Sequence, residues 1–240
     1  MALGRMAIPL FPYFSAHHRE RFERWIARCG LRLLGIRLTQ IGPVVDGPAL
    51  LVSNHSSYLD IVILQAMMQV SFTPKKEIEG WPLIGPLGTA FGAVYVDRTP
   101  SRTKDVATTL LTRLKEGRRI CLFPESTTND GRSMKPFRSS LFALTETWDG
   151  EQPLTVQPVS ILYESLDGKK LDDASWPKVA WYGEATLLGH LWNMFGHKEL
   201  VVRVICHEPL QLASGETRKD MSLKAERLIR QTVLGEKTSA

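Results

Sequence analysis

The sequence predicts an α/β fold: a single domain with a mixed, mostly parallel sheet covered by helices, preceded by an N-terminal amphipathic, membrane-associated helix. Two observations carry this expectation. Short apolar, β-branched runs alternate along the chain with segments of helical periodicity, the pattern of a sheet with helices packed on it. The 240 residues hold no internal repeat, low-complexity tract or linker, so one core suffices.

Taken in order, the first helix is expected at 18–34. Phe22, Trp25, Ile26, Cys29 and Leu33 recur at spacings of three and four and form one stripe. Arg19, Arg21, Arg24, Arg28 and Arg32 occupy much of the remaining surface. Such a helix either lies at an anionic membrane surface or packs on a core with its charges in water. Ahead of it, residues 7–14 are apolar, but Pro9 and Pro12 interrupt the run and no signal-peptide cleavage site follows. Residues 1–40 are therefore expected as an N-terminal membrane-associated segment and 41–240 as the α/β domain. Strands are expected at 49–53, 71–75, 93–96, 119–123, 155–162, 179–182 and 200–205. Helices are expected at 58–69, 102–115, 139–147, 187–195 and 219–233, with Gly117 stopping the second of these.

The net charge of +5 suits an anionic partner: a phosphate-bearing substrate, an anionic membrane or nucleic acid. Nucleic acid fits least, because no stacking-aromatic or recognition-helix pattern accompanies the basic residues. Cys29, Cys121 and Cys206 are far apart and form no C-x-x-C pair, so neither a disulfide framework nor a metal site is expected. Cys121 and Cys206 sit in apolar runs and read as core residues in a reducing, cytosol-facing compartment. No apolar run approaches the roughly 18 to 20 residues that span a bilayer. Lipid contact is then expected to be peripheral or monotopic, at the cytoplasmic face of the inner or plasma membrane.

Three constellations carry chemistry. Leu50-Leu51-Val52-Ser53, a buried-strand signal, runs into Asn54-His55-Ser56-Ser57 and then an apolar helix. Ser57 and Asp60 resemble a capping box, which puts Ser57 at the N-cap and Asp60 on the first turn. Within a helix, residues five apart point about 140° away from each other. With His55 on the turn before the helix, the Asp60 carboxylate can come back to the imidazole. An Asp on one ring nitrogen sets the tautomer and leaves the other nitrogen as a base. A capping Asp beside an ordinary loop His would give the same spacing. The second constellation is Leu122-Phe123-Pro124-Glu125-Ser126-Thr127, at a strand exit where α/β sheets bind ligands. The third is Lys135-Pro136-Phe137-Arg138-Ser139-Ser140, where Arg138 precedes a helix start and suits an anion or plain surface charge. Between the first two lie Lys75, Lys76, then Gly85, Gly88 and Gly92, then a strand ending Tyr95-Val96-Asp97-Arg98. These glycines match no nucleotide loop and read as tight turns and close packing. Arg98 at a strand end can grip a phosphate bidentately, or pair with Asp97 or Asp105.

Together and in order, these segments resemble the glycerolipid acyltransferase family, whose best-known members are the 1-acylglycerol-3-phosphate acyltransferases. Four family blocks have counterparts: Asn54 to Asp60, Gly92 to Arg98, Phe123 to Thr127, and Val156-Gln157-Pro158-Val159. The resemblance implies an α/β acyltransferase domain in which His55 is the general base and Asp60 orients it. It implies that Arg98 binds the acceptor's phosphate and that Glu125, Ser126 and Thr127 form the acceptor loop. Lys75 stands where the family often carries a basic residue. Acyl-CoA or acyl carrier protein would be the co-substrate, with no metal or bound cofactor. Donors near the helix start would stabilise the oxyanion. The implied acceptor is a lysophospholipid, 1-acylglycerol-3-phosphate first. A narrower likeness, in residues 136–142, 180–183 and 190–192, is to bacterial lyso-ornithine-lipid acyltransferases, and would give Arg98 a carboxylate partner. Ser126 departs from the family's Gly, and many relatives carry a longer apolar N-terminal segment. Two other classes stay in view. One is a serine hydrolase using Ser56 or Ser126, although neither lies in a G-x-S-x-G elbow. The other is a non-catalytic protein that binds lipid surfaces.

Overall fold

The computed structural model describes residues 16–81, 84–96, 103–130 and 133–238. Helix α1 (Ala16–Leu33) leads into strand β1 (Ile36–Ile41), and β2 (Ala49–Ser53) into α2 (Leu59–Met68). Then come β3 (Val70–Phe72), α3 (Ile84–Ala90), α4 (Thr103–Lys115), β4 (Arg119–Leu122) and α5 (Leu144–Thr147). The chain closes with β5 (Thr155–Leu166), β6 (Lys169–Lys170), α6 (Leu187–Phe195), β7 (Leu200–Cys206) and α7 (Arg218–Thr238). The strands form one seven-stranded sheet in the order β1-β7-β5-β2-β4-β3, with β6 against β5. β1 runs parallel to β7, β2 to both β4 and β5, and β3 to β4, whereas β5 is antiparallel to β6 and β7. The sheet is mixed, as the sequence predicts.

Side-chain alternation divides the core between the two faces of the sheet. Ala49 and Leu51 of β2, Cys121 of β4 and Ile161 of β5 pack with Ala27 and Leu31 of α1 and with Leu59, Ile63 and Leu64 of α2. Leu50 and Val52, Ile120 and Leu122 face the other way, onto α4, α5 and α7. All five β2 residues are buried, so the central strand is apolar throughout rather than alternating. Gly117 ends α4 as expected: at φ 81° its N–H reaches the Leu114 carbonyl, 2.9 Å away. Gly85 and Gly88 lie too close to the Glu79 carbonyl and the Tyr95 hydroxyl to carry a Cβ, which is the close packing expected of them.

Several expected elements differ. Residues 93–96 lie beside β3, bonded through Val94 N–H to the Phe72 carbonyl and Val96 N–H to the Pro74 carbonyl, both 2.8 Å. They form only one parallel bridge, Lys75–Val96. Residues 179–182 are not a strand. A 3₁₀ turn at Trp176–Lys178 precedes them, and Val179 and Ala180 are buried as a loop plug. A four-residue apolar run cannot by itself separate these two outcomes. The 139–147 segment splits into a 3₁₀ turn (Ser139–Phe142) and the short α5. Strand β1 carried too little pattern to be expected, because most of its residues are exposed. It joins the sheet across the 40/41 boundary drawn from the sequence. The apolar segment 7–14 lies outside the described residues.

In α1 the buried face is Glu23, Ala27 and Leu31, not the apolar stripe seen in the sequence. Phe22, Trp25 and Leu33 of that stripe are 42%, 59% and 72% exposed. Glu23 is held inside by the Gln65 amide, which donates to it at 3.3 Å. Among the described residues, no helix is long and apolar enough to cross a membrane.

Candidate active site

β2, β4 and β3 are adjacent and parallel, so their C-terminal ends form one edge. His55 follows β2, Glu125 follows β4 and Lys75 follows β3, which places all three along that edge. Beyond β2, the Asn54 side chain imitates a neighbouring strand. Its amide donates to the Ile161 carbonyl at 3.0 Å and its oxygen accepts the Ile161 N–H at 2.8 Å. This anchors the turn to β5 immediately before His55.

His55 Nδ1 donates to Asp60 Oδ2 across 2.9 Å, the contact expected from a turn residue and a first-turn carboxylate. The same oxygen accepts the Ser56 N–H at 2.8 Å and the Ser57 N–H at 2.9 Å. Asp60 Oδ1 accepts the Tyr163 hydroxyl at 2.5 Å. Asp60 is fully buried and saturated with donors, which suits a carboxylate that only accepts. The imidazole stacks on Phe123, with ring centroids 3.9 Å apart, and Phe123 stacks in turn on Phe72. With Nδ1 occupied, Nε2 has no partner among the described residues, and the side chain stays 15% exposed. The arrangement is an oriented imidazole with one free nitrogen, able to take a proton from a bound hydroxyl.

One expectation about this turn needs correction. The N-cap is Tyr58, in αR conformation and with no side-chain cap bond, rather than Ser57. Ser57 Oγ reaches only the Leu59 N–H, at 3.4 Å, while Asp60 does the capping from inside the helix. Three backbone amides of this turn are also occupied. The His55 N–H goes to Glu125, and those of Ser56 and Ser57 go to Asp60. They are not free to hold an oxyanion.

Glu125 turns inward. One oxygen accepts the His55 N–H at 3.1 Å; the other accepts the Lys135 N–H at 2.8 Å and the Asn129 amide. Asn129 also returns its backbone N–H to the His55 carbonyl at 3.2 Å. Burial raises the Glu125 carboxyl above the usual carboxylate range, and these donors pull it partly back. With Glu125 only 2% exposed, its carboxylate braces the His55 turn instead of lining open space.

The residue pattern and fold carry a further likeness. The Acyltransferase family model matches residues 17–162. The chain belongs to this family. It is 33% identical over 240 residues to the lyso-ornithine lipid O-acyltransferase of Brucella abortus, covering 96% of this chain and 89% of that one. It is 28% identical over 201 residues to a 1-acyl-sn-glycerol-3-phosphate acyltransferase of Neisseria meningitidis, covering 83% and 75%. Its fold is similar to the crystal structure of the 1-acyl-sn-glycerophosphate acyltransferase of Thermotoga maritima. The TM-score is 0.67 at 15% identity, over 91% of this chain and 79% of that one.

The structure of this acyltransferase describes four of the other expected site residues: Ser126, Thr127, Lys75 and Arg138. Ser126 takes φ 64°, the left-handed conformation that the family's Gly adopts freely. Thr127 is exposed, with its hydroxyl on the Thr128 carbonyl at 3.3 Å. Lys75 is exposed at the end of β3, bridged to Val96. The exposed Arg138 is tied to the edge through its N–H, which donates to the Pro124 carbonyl at 3.0 Å. Arg98 lies outside the described residues. Among the described residues, no cluster of three or more His, Cys, Asp or Glu could hold a metal ion.

Sequence reasoning missed Tyr163, Phe123 as a stacking platform, and Asn129. The available signal for Tyr163 was a phenol within a buried strand, since such a hydroxyl needs a partner. It also missed how 180–183 and 190–192 pack. The Trp181 N–H donates to the Ser56 carbonyl at 2.8 Å, and the Tyr58 hydroxyl meets His190 Nδ1 at 3.2 Å. Burial lowers the His190 pKa, with the Ala180 backbone acting the other way, so neutral imidazole is favoured beside the phenol.

Proposed function

We propose that this chain is an O-acyltransferase that moves a fatty acyl group from acyl-CoA or acyl carrier protein to the free hydroxyl of a lysolipid, with His55 as general base. The observation that carries this reading is the buried Asp60 carboxylate, 2.9 Å from His55 Nδ1, which leaves Nε2 as the reactive nitrogen. Nε2 takes the hydroxyl proton as the acceptor oxygen attacks the thioester carbonyl. The C–S bond then breaks, and the departing thiolate recovers the proton from the imidazolium. No serine nucleophile is required. Ser56 is buried with its backbone N–H on Asp60, and Ser126 sits in a strained turn, so neither resembles an activated nucleophile.

Lys75, Arg138, Thr127 and Arg98 are proposed to receive the acceptor's acidic headgroup and the donor's phosphates. Glu125 and Ser126 shape that loop. The lyso-ornithine lipid is the first acceptor to test, with 1-acylglycerol-3-phosphate second. Two observations favour this order. The relative named for lyso-ornithine lipid shares more identity over more of the chain. Two of the three segments carrying that narrower likeness also pack on Ser56 and Tyr58, inside the His55–Asp60 motif. We further propose that α1 lies on the cytoplasmic face of the membrane, its exposed Phe22, Trp25 and Leu33 in the lipid and the exposed Arg21 and Arg32 among anionic headgroups.

The test is thioester consumption by purified protein against a panel of lysolipids, followed by mass analysis of the product. A diacyl product from one acidic lysolipid is expected. Thioester hydrolysis to free fatty acid, with no acylated lipid, would point to the hydrolase reading instead.

A further inference from the structure

Helix α6 presents a second apolar surface, which the sequence pattern did not reveal. Leu188, Trp192 and Phe195 are 64%, 78% and 47% exposed, at spacings of four and three. They form one continuous outward stripe on a nine-residue helix that carries no Asp, Glu, Lys or Arg. The inward side faces the core. Met194 is buried in the core, and His190 meets the Tyr58 hydroxyl next to the His55–Asp60 pair. The loop that leads into α6 is equally fixed: the Trp181 N–H holds the Ser56 carbonyl and its indole N–H holds the Ala185 carbonyl, both at 2.8 Å. A side-chain stripe this apolar and this exposed is costly in water and marks a contact surface.

Topology says at which edge of the sheet the helix ends. β5 runs parallel to β2, and β7 runs antiparallel to β5, so the start of β7 lies toward the same edge of the sheet as His55. β1 is parallel to β7 with Ile36 opposite Leu200, so its start lies there too. Helix α1 ends just before β1 and α6 just before β7. The two ends are joined where the Leu200 N–H donates to the Gly35 carbonyl at 3.0 Å. The exposed Leu33 and Phe195 therefore close two helices that terminate on the catalytic side of the sheet. Arg32, Arg37 and Lys198 are exposed around this junction. Arg37 is paired with Glu199, and Asp167 is held by His197 and by the Lys198 N–H, which leaves the Arg32 and Lys198 side chains as the cations beside the apolar stripe. Apolar side chains flanked by such cations complement one surface in particular, a bilayer with anionic headgroups.

We infer that the outer stripe of α6 is a membrane-docking surface. Leu188, Trp192 and Phe195 enter the lipid interface beside the active site, together with the end of α1. The inference rests on the lysolipid reading for its purpose, since a surface tied to Tyr58 would set the His55 edge down where the acceptor lies. It does not rest on that reading for its test.

The experiment uses the full chain, with co-sedimentation on phosphatidylcholine vesicles with and without phosphatidylglycerol. Leu188→Glu/Trp192→Glu is expected to weaken binding at least tenfold, and Trp192→Phe to retain it. Lys198→Glu should weaken binding only to vesicles that contain phosphatidylglycerol. Acylation of vesicle-embedded lysolipid by the double variant should fall in parallel, while acylation of the same lysolipid dispersed in detergent stays within twofold of the parent. If the double variant is not folded by circular dichroism, Leu188→Ser/Trp192→Ser takes its place. Parent-like vesicle binding by the folded double variant overturns the inference. So does a shift from dimer to monomer on ultracentrifugation without loss of vesicle binding, which would assign the stripe to a second copy of the chain. Vesicle binding that depends on the stripe, in a protein that acylates no lysolipid, would sink the acyl-transfer reading and leave this one standing.

Discussion

Two loops leave adjacent parallel strands at the same edge, and they put their polar side chains to opposite uses. The loop after β2 sends His55 outward with one nitrogen free; the loop after β4 folds Glu125 inward until both carboxylate oxygens are occupied. In the sequence the two look alike, an apolar strand followed by a polar run. What separates them is the supply of unpaired backbone N–H groups. The turn before α2 offers the amides of His55, Ser56 and Ser57, and a buried amide must find an acceptor. Asp60 takes two of these and Glu125 the third. A carboxylate placed beside such a turn is drawn into it. One loop thus presents the His55 imidazole and the other immobilises its turn.

The largest expected effect tests the first loop. His55→Ala should lower the rate by about 10²- to 10⁴-fold, the usual worth of a general base, with thermal unfolding little changed. A parent-like rate in the folded variant ends the general-base role.

Next comes the second loop. Glu125→Ala strands the His55 and Lys135 N–H groups and the Asn129 amide, at about 1–3 kcal/mol for each buried group left unpaired. The melting temperature should drop, and the rate per folded molecule should drop with it. A normal rate per folded molecule would break the contrast between presenting and bracing loops. The carboxyl also has a pH signature. Its folded pKa is raised by burial above the ordinary value of 4.5, so the folded state binds the proton more tightly than the unfolded chain does. The favourable contribution is present below the ordinary value and is lost as pH rises through the folded one. The stability advantage of the parent over Glu125→Gln should therefore shrink as pH rises across that window, measured by urea denaturation.

Tyr163→Phe removes one of the donors to Asp60 and leaves the Ser56 and Ser57 amides in place. A stability loss of about 1.5–3 kcal/mol is expected, the range for bonds to charged groups, with a much smaller rate loss than His55→Ala gives. A rate as low as that of His55→Ala would move Tyr163 from support to chemistry.

The smallest effect is a gain. Ser126 at φ 64° bears a left-handed strain of roughly 1–2 kcal/mol. Ser126→Gly relieves it but frees the unfolded chain by about 0.4–1 kcal/mol. The net expectation is stabilisation of under about 1 kcal/mol, read from chemical denaturation. A loss instead would show that the Ser126 side chain has a role in the turn that outweighs the strain.

The sequence by itself determined the α/β class, the strands at 49–53 and 200–205, and the helices at 58–69 and 187–195, and it made the meeting of His55 with Asp60 possible. These features rest on local periodicity or on residues only five apart, where chain geometry leaves few arrangements. Only the tertiary structure decided the rest. The outward face of α1 is such a case, because Glu23 reads as a surface charge until Gln65 is found beside it. The inward turn of Glu125 depends on a backbone amide 70 residues away in sequence, and the Tyr163 bond to Asp60 spans 103. The exposed strand β1 left no apolar pattern to read. The stripe on α6 looks like core in an apolar helix until the structure shows it exposed among the described residues. Periodicity reports that a helix has an apolar side, but which side is buried is set by partners far along the chain.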